Sequence, residues 1–415
     1  MPASFRRPLA VGVVVAVAII LRLALVPLKG FAPDVAVFDT WARVLAAHGP
    51  LAIYGPDVVP RVDYSPGYLY VLWIVGLVRA AIDPQFTHPV AFRALLKIPN
   101  IVADLEAAAI GFAIVRRFAS PWRAVAVLAV LLIGPVFWID SAFWGQADTI
   151  AAAFVFGAVL LRLRDRSSLA WLVLALGIIV KPQGAVLIPL FAVRFVMRGG
   201  SAWTVARTSL AIAGIAYLVT GPFTTERSPL GVLGFFIDRY LNGVAKAPHA
   251  SEGAFNIFTI VGPFFTSDTV RFLGIPIAVW SLVLLLSALG AIAWWYARIL
   301  RGTDDPASVD RAFVYAAALS LAALFFFGTR MHERYLLPGL ACASLVAFES
   351  PGTTAAVAAL TMSFVANVAV IVAGFTGGAH HPQVVLVGHA LSALNLIALA
   401  VVARGYVARP RAGAV

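Results

Sequence analysis

The sequence predicts an all-α polytopic membrane protein, a bundle of about twelve transmembrane helices forming one domain over residues 1–415. Three observations carry the prediction. The chain is 61% hydrophobic and only 12% charged, against about 25% charged in soluble proteins. Apolar runs recur from end to end, and in lipid only helices or closed barrels satisfy their own backbone. The arginines stand in short clusters between those runs, as they do in cytoplasmic loops. These clusters account for the net charge of +12, so nucleic acid is not expected as a partner. The single cysteine, Cys342, lies in an apolar run, which excludes an internal disulfide and a cysteine metal site.

Charge parity orders the elements. Arg6 and Arg7 precede the first apolar run, 9–27, and no small-residue cleavage site follows it. It reads as a retained span starting in the cytoplasm, which puts the loop 28–91 outside. Two apolar runs come next, 67–82 and 92–115. If both crossed, Arg116, Arg117 and Arg123 would lie outside, against the positive-inside bias. Run 67–82 is short, and Tyr64, Tyr68, Tyr70 and Trp73 surround its start. Such residues favour the interface, so this run is expected to lie on the outer surface.

Further spans are then expected at 122–138, 148–163, 168–181, 183–196, 203–221, 275–298, 310–328, 335–348, 353–375 and 384–404. The clusters Arg162/Arg164/Arg166, Arg194/Arg198, Arg298/Arg301/Arg311 and Arg404/Arg409/Arg411 fall in the cytoplasm with both termini, the arrangement of a multi-pass cell-membrane protein. Runs 168–181, 183–196 and 335–348 each supply fewer than the roughly 20 residues of a perpendicular span, so they are expected to tilt or to line a cavity in the bilayer. The outer face receives 28–91, 139–147, 221–274, 328–334 and 376–383.

Candidate chemistry collects on that face. The first outer loop carries Asp34, Asp39, Asp57 and Asp63. Within it Val37, Phe38, Trp41, Val44, Leu45 and His48 share one face of an interfacial helix, with Asp39 and Arg43 at i, i+4 on the other. Span 92–115 has a polar stripe of Arg93, Lys97, Asn100 and Asp104, while Glu106 lies off it. Ionisable residues at that depth normally face a cavity or a partner. Trp144-Gly145-Gln146-Ala147-Asp148 opens the next outer end, with Asp140 just before it. Lys181 stands in a Lys-Pro-Gln turn between two short runs, placed to meet an anion. Arg330-Met331-His332-Glu333-Arg334-Tyr335 is the densest outer charge cluster and suits a phosphate. The loop 221–274, which contains Ala254-Phe255-Asn256, is too long to be a bare connection. No Walker loop, dinucleotide fingerprint, H-E-x-x-H or G-x-S-x-G is present, so a group-transfer donor would have to be membrane-borne.

In this order the motifs resemble those of the GT-C membrane glycosyltransferases, and within them the bacterial relatives of GPI mannosyltransferase II. The resemblance rests on Phe38-Asp39-Thr40-Trp41, Asp63-Tyr64-Ser65-Pro66, Trp144-Gly145-Gln146-Ala147-Asp148, Lys181-Pro182-Gln183, Ala254-Phe255-Asn256 and His332-Glu333-Arg334-Tyr335. The second block departs from the family's D-Y-P-P by Ser65. The resemblance implies two juxtamembrane helices in the first outer loop and transfer of a hexose, with mannose as the lean, from a polyprenyl-phosphate carrier. The acceptor would be a glycolipid, glycan or protein, and the anomeric carbon would invert. It also implies a catalytic carboxylate, matched by Asp39, with Asp34 near enough in sequence to compete. As general base that group would be worth roughly 10²–10⁴-fold. Lys181, Arg330, His332 and Arg334 would hold the leaving phosphate as a cationic clamp, with no metal or other cofactor required. Asp34, Asp63, Tyr64, Trp144, Gln146, Asp148, Asn256 and Glu333 would shape the substrate site. A transporter or flippase of lipid-linked sugars, or a glycan ligase or polymerase, stands as the alternative.

Overall fold

The computed structural model describes residues 3–245, 248–374 and 381–407. Lys246, most of the 376–383 stretch, Arg409 and Arg411 lie outside the described residues. The helices are α1 (Ala3–Leu25), α2 (Ala32–His48), α3 (Pro66–Ile82), α4 (Pro89–Val115), α5 (Pro121–Ile133), α6 (Pro135–Trp138), α7 (Asp148–Leu163), α8 (Ser167–Val180) and α9 (Ile188–Met197). They continue with α10 (Ala202–Thr220), α11 (Pro229–Ala245), α12 (Phe258–Val261), α13 (Ile277–Gly302), α14 (Pro306–Phe327), α15 (Leu337–Ser344), α16 (Pro351–Ala373) and α17 (Pro382–Val407). Proline at the first position starts many of them, where its missing N–H costs nothing and its φ is already helical. Ser120, Ser201, Asp305 and Ser350 cap the starts of α5, α10, α14 and α16 by accepting a backbone N–H.

Helix covers all or part of each of the twelve expected spans, but among the described residues eight helical stretches are long and apolar enough to cross a membrane. The other four, α7, α8, α9 and α15, have 16, 14, 10 and 8 residues. A 14-residue helix rises only about 21 Å, short of the roughly 30 Å hydrocarbon core. Irregular turns make up the difference: a π-helical turn at Ile139–Trp144 and 3₁₀ turns at Pro182–Leu187 and Glu333–Leu336. Non-helical backbone at such depth is tolerated where it is buried or lines a cavity, and these turns carry the candidate residues.

The stretch 28–91 folds into two helices, α2 and α3, as expected. Helix α2 packs on α3 so closely that a Cβ on Gly76 would sit 2.2 Å from the Ala42 carbonyl oxygen. The buried face of α2 is Val35, Phe38, Trp41, Ala42 and Leu45. That corrects the expected apolar face, from which Val37 and Val44 are only half-buried and His48 is exposed. Helix α3 does not span. At its start Ser65 Oγ donates to the Ile179 carbonyl at the end of α8 (2.6 Å). Near its other end the Arg79 guanidinium lies over Phe92, in the first turns of α4, and over Phe86 just before it. Both ends of α3 therefore touch the same end of the bundle.

One apolar core runs from Ala18 on α1 to Tyr406 on α17, and a second joins α2 and α3 to the start of α4 and to Ala147, Ile150 and Val180. The polar stripe of α4 is used in packing. Lys97 Nζ donates to the carbonyls of Leu25, Val26 and Leu28 (3.2, 3.1 and 2.8 Å), at and just past the end of α1, where carbonyls run out of helical N–H donors. Asp104 receives Arg22 Nε at 2.9 and 3.0 Å and a bond from Ser141. At the opposite end of the bundle Asp310 gathers Arg117 (2.6 Å) and Arg194 (3.4 Å).

Candidate active site

The site begins with Asp140. Its carbonyl accepts the N–H groups of Gly145 (2.8 Å) and Gln146 (3.0 Å), and its Oδ2 accepts Thr149 N–H (3.1 Å) at the start of α7. Gly145 closes the π turn at φ +87, a conformation open to glycine. This clamp points Trp144 and Gln146 at the first turn of α2. There Trp144 Nε1 donates to Asp34 Oδ2 (3.0 Å), and Gln146 Nε2 donates to the same oxygen. Tyr64 Oη donates to Gln146 Oε1 (3.0 Å), and Tyr54 Oη donates to the Tyr64 carbonyl (2.7 Å). The Asp34 carboxylate is thus aimed by two donors while 27% of its side chain stays accessible.

Cations meet it from the two short-helix turns. Lys181 Nζ lies 2.5 Å from Asp148 Oδ1, which also accepts Gln183 Nε2 (3.1 Å). Arg334 NH1 donates to Glu333 Oε1 (2.8 Å). Its Nε lies 3.5 Å from Asp148 Oδ2 and its NH2 lies 3.9 Å from Asp34 Oδ2. Arg334 Nε is buried without a hydrogen-bond partner, so the fork keeps a donor in hand. The aromatic walls are cationic-faced: Lys181 sits over Tyr335 (4.5 Å) and Tyr64 (5.9 Å), and Arg334 over Trp144 (5.3 Å) and Tyr335 (5.6 Å). A carboxylate, two cations and aromatic faces can take a proton from a hydroxyl while holding an anion and a sugar ring beside it.

Asp34, Tyr64, Trp144, Gln146, Asp148, Lys181, Glu333 and Arg334 come together from five distant segments. Asp39, the carboxylate matched to the catalytic role by the motif resemblance, does not join them. Its carboxylate is bound by Arg43 (2.8 Å) and by Arg79, whose side chain is 1% exposed. Arg79 also donates to the Phe86 carbonyl (3.1 Å) and approaches Asp83 (3.7 Å). On a helix Asp34 and Asp39 are five residues apart and point about 140° apart, so only one of them can face Arg334.

Three other candidates stand apart from the group. Arg330 is held by Asp268 (2.8 and 2.9 Å) and braces the loop rather than the clamp. Asn256 is a buried stitch, donating to the Gly328 carbonyl (3.2 Å) and accepting Phe258 N–H (3.1 Å). His332 packs edge-on to Tyr335 at the rim (5.1 Å). Burial, then the neighbouring Arg334 and Lys181 charges, hold its pKa well below the usual 6.5, so it is neutral at pH 7 and adds no charge to the clamp. Burial raises the Glu333 carboxyl, against the pull of Arg334. Asp63 is exposed on the turn before α3, and Asp57 is likewise exposed. Sequence reasoning passed over Arg79, although an arginine inside an apolar run, four residues before Asp83, is itself the signal of a buried pair.

No family model matches the sequence, and no curated protein matches it. Among solved structures the chain is similar to the oligosaccharyltransferase of Archaeoglobus fulgidus tethered to an acceptor peptide, at TM-score 0.46 and 12% identity over 98% of this chain and 55% of that one. The apo form of that enzyme gives 0.46 and 13% over 96% and 56%. ArnT from Cupriavidus metallidurans bound to undecaprenyl phosphate gives 0.46 and 15% over 96% and 77%. The chain spans about 55% of the length of the oligosaccharyltransferase it matches.

Proposed function

We propose that the protein is a membrane glycosyltransferase that moves a hexose, mannose on the resemblance of its motifs, from a polyprenyl-phosphate carrier to an acceptor hydroxyl, with Asp34 as general base. The observation that carries this reading is the partly exposed Asp34 carboxylate 3.9 Å from Arg334, whose buried Nε makes no hydrogen bond and only a 3.5 Å ion pair with Asp148, beside Lys181. In the proposed step Asp34 takes the acceptor's hydroxyl proton and the acceptor oxygen bonds to the anomeric carbon. The bond from that carbon to the phosphate oxygen breaks, and the carrier phosphate leaves as an anion. Arg334 and Lys181 stabilise its charge, and single displacement inverts the anomeric centre. Tyr64, Trp144 and Tyr335 supply faces for the sugar, and Asp140, Gln146 and Asp148 keep the groups in place.

The acceptor is a glycolipid, glycan or protein, and the site lies on the extracytoplasmic face of the cell membrane. These two points rest on the motif resemblance and on the arginine distribution respectively. The test is a donor screen with purified protein in lipid discs. Transfer of label from one polyprenyl-phosphate hexose to an acceptor, lost in Asp34→Asn, supports the reading. Translocation of a lipid-linked sugar across the disc membrane with no transfer of label refutes it in favour of a flippase.

A further inference from the structure

Helix α11 wears its polarity the wrong way round for water. Leu230, Leu233, Ile237 and Leu241 are 82%, 42%, 48% and 64% exposed. Their spacing of three, four and four residues puts them in one stripe. The opposite face turns inward, and it includes the helix's arginine. Val232 is buried, Phe235 packs edge-on to Tyr54, and Arg239 lies over the Tyr54 ring (5.4 Å). Tyr240 Oη donates to the Ile178 carbonyl at the end of α8. A water-facing helix would hide the leucines and show the arginine.

Three features say what covers the stripe. The start of α11 is bound to the end of the span α10: Arg227 NH1 donates to the Thr224 carbonyl (2.7 Å), and Tyr217 Oη donates to the Arg227 carbonyl (3.0 Å). That holds the helix at the depth where α10 leaves the bilayer. The flank of α10 is itself open and apolar, with Leu210 at 75% and Leu218 at 70% exposure. The same kind of surface recurs on α3 at Ile74, Leu77 and Ile82, and on α13 at Val279, Leu282 and Leu286.

We infer that α11 is a third in-plane helix, its Leu230–Leu233–Ile237–Leu241 stripe immersed in the acyl region of the lipid leaflet at the Asp34 end of the bundle. The inference is independent of the sugar-transfer reading. It gives part of the long 221–274 stretch a place in the lipid. A stripe of this kind sinks about 5–10 Å into the headgroup and acyl boundary. It also anchors Tyr54, whose hydroxyl holds the Tyr64 carbonyl beside the site.

Nitroxide labels on single-cysteine variants of the full chain in phosphatidylcholine–phosphatidylglycerol discs test this. Native Cys342 is buried, and unlabelled wild type measures any background. At positions 230, 233, 237 and 241 oxygen is expected to relax the label more than aqueous nickel chelate does. At Glu226, exposed before the helix, nickel is expected to dominate. Nickel dominance at all four stripe positions overturns the inference in favour of water. Exclusion of both relaxants, with dipolar broadening between labelled copies, overturns it in favour of a second chain. Size-exclusion elution matching wild type keeps unfolded variants out of the comparison.

Discussion

Exchanging Asp34 for asparagine should abolish transfer and leave the fold intact, whereas the same exchange at Asp39 should do the reverse. Asp34→Asn keeps a side-chain oxygen to accept Trp144 Nε1–H and Gln146 Nε2–H, and Arg334 keeps Glu333 at 2.8 Å and Asp148 at 3.5 Å. What is lost is the proton acceptor, a role worth roughly 10²–10⁴-fold, or about 3–5 kcal/mol of barrier. Asp39→Asn instead leaves Arg79, 1% exposed, without its carboxylate. Removing one partner of a buried pair costs about 3–5 kcal/mol. The low end applies, because Asp83 at 3.7 Å and the Phe86 carbonyl at 3.1 Å remain. The assay is initial-rate transfer of labelled hexose from polyprenyl-phosphate donor, normalised to folded protein, beside thermal unfolding of both variants. Asp34→Asn should keep the wild-type midpoint with the rate down at least about a hundredfold. Asp39→Asn should unfold earlier, with a rate per folded molecule within about tenfold of wild type. A near-normal rate for Asp34→Asn, or a dead Asp39→Asn at unchanged midpoint, refutes the assignment and returns the base to Asp39.

Four further outcomes are expected. Arg334→Lys cannot reach Glu333, Asp148 and Asp34 from one ammonium, and transfer should fall by about 10²-fold with the loss of a preorganised donor, read as kcat and donor KM. Gly76→Ala puts a Cβ 2.2 Å from the Ala42 oxygen, so α2 must lift from α3 at a cost of about 1–3 kcal/mol. Gly290→Ala, with nothing within 4 Å, should be neutral or stabilising in the same thermal melt. His332 has a folded pKa below its unfolded value of 6.5, so below pH 6.5 the unfolded chain binds the extra proton and stability falls with falling pH. His332→Gln should flatten that loss between pH 7.5 and 5.5 when unfolding midpoints are compared.

Much of the fold was legible because membrane depth and arginine placement are strong, local constraints. Parity alone made 67–82 a surface helix, and α3 touches α8 and α4 at the same bundle end. Composition could show that 168–181, 183–196 and 335–348 were each too short to span, but not that 3₁₀ turns at Pro182–Leu187 and Glu333–Leu336 complete them. The candidate motifs were legible as types: Trp144, Gln146, Lys181 and Arg334 do converge. The choice between Asp34 and Asp39 was not, since both sit on one helix and only tertiary contacts decide which face meets Trp144 and which meets Arg79. Arg330 misled because its partner Asp268 lies 62 residues earlier, on the far side of α13 and α14, a contact that periodicity does not encode.

The charge balance of the site says how an anionic donor has to bind. Lys181 and Arg334 face the carboxyl groups of Asp34, Asp148 and Glu333, and the cations are already engaged: Lys181 by Asp148 at 2.5 Å and Arg334 by Glu333 at 2.8 Å. A phosphate cannot replace either carboxylate without leaving a buried charge unpaired, at a cost of several kcal/mol. It can, however, add to the Arg334 fork at Nε, which is buried and makes no hydrogen bond, and share Lys181, whose ammonium has three N–H donors. The Glu333 carboxyl, raised by burial, lowers the opposing charge whenever it carries a proton. Under this arrangement donor affinity should weaken as pH rises and Glu333 ionises. Glu333→Gln, which stays neutral and can still accept from Arg334, should remove that dependence. Binding of a short prenyl-phosphate hexose, a phosphodiester that does not itself titrate near neutral pH, followed by calorimetry across pH decides it: an unchanged pH slope in Glu333→Gln would place the phosphate elsewhere than on Arg334.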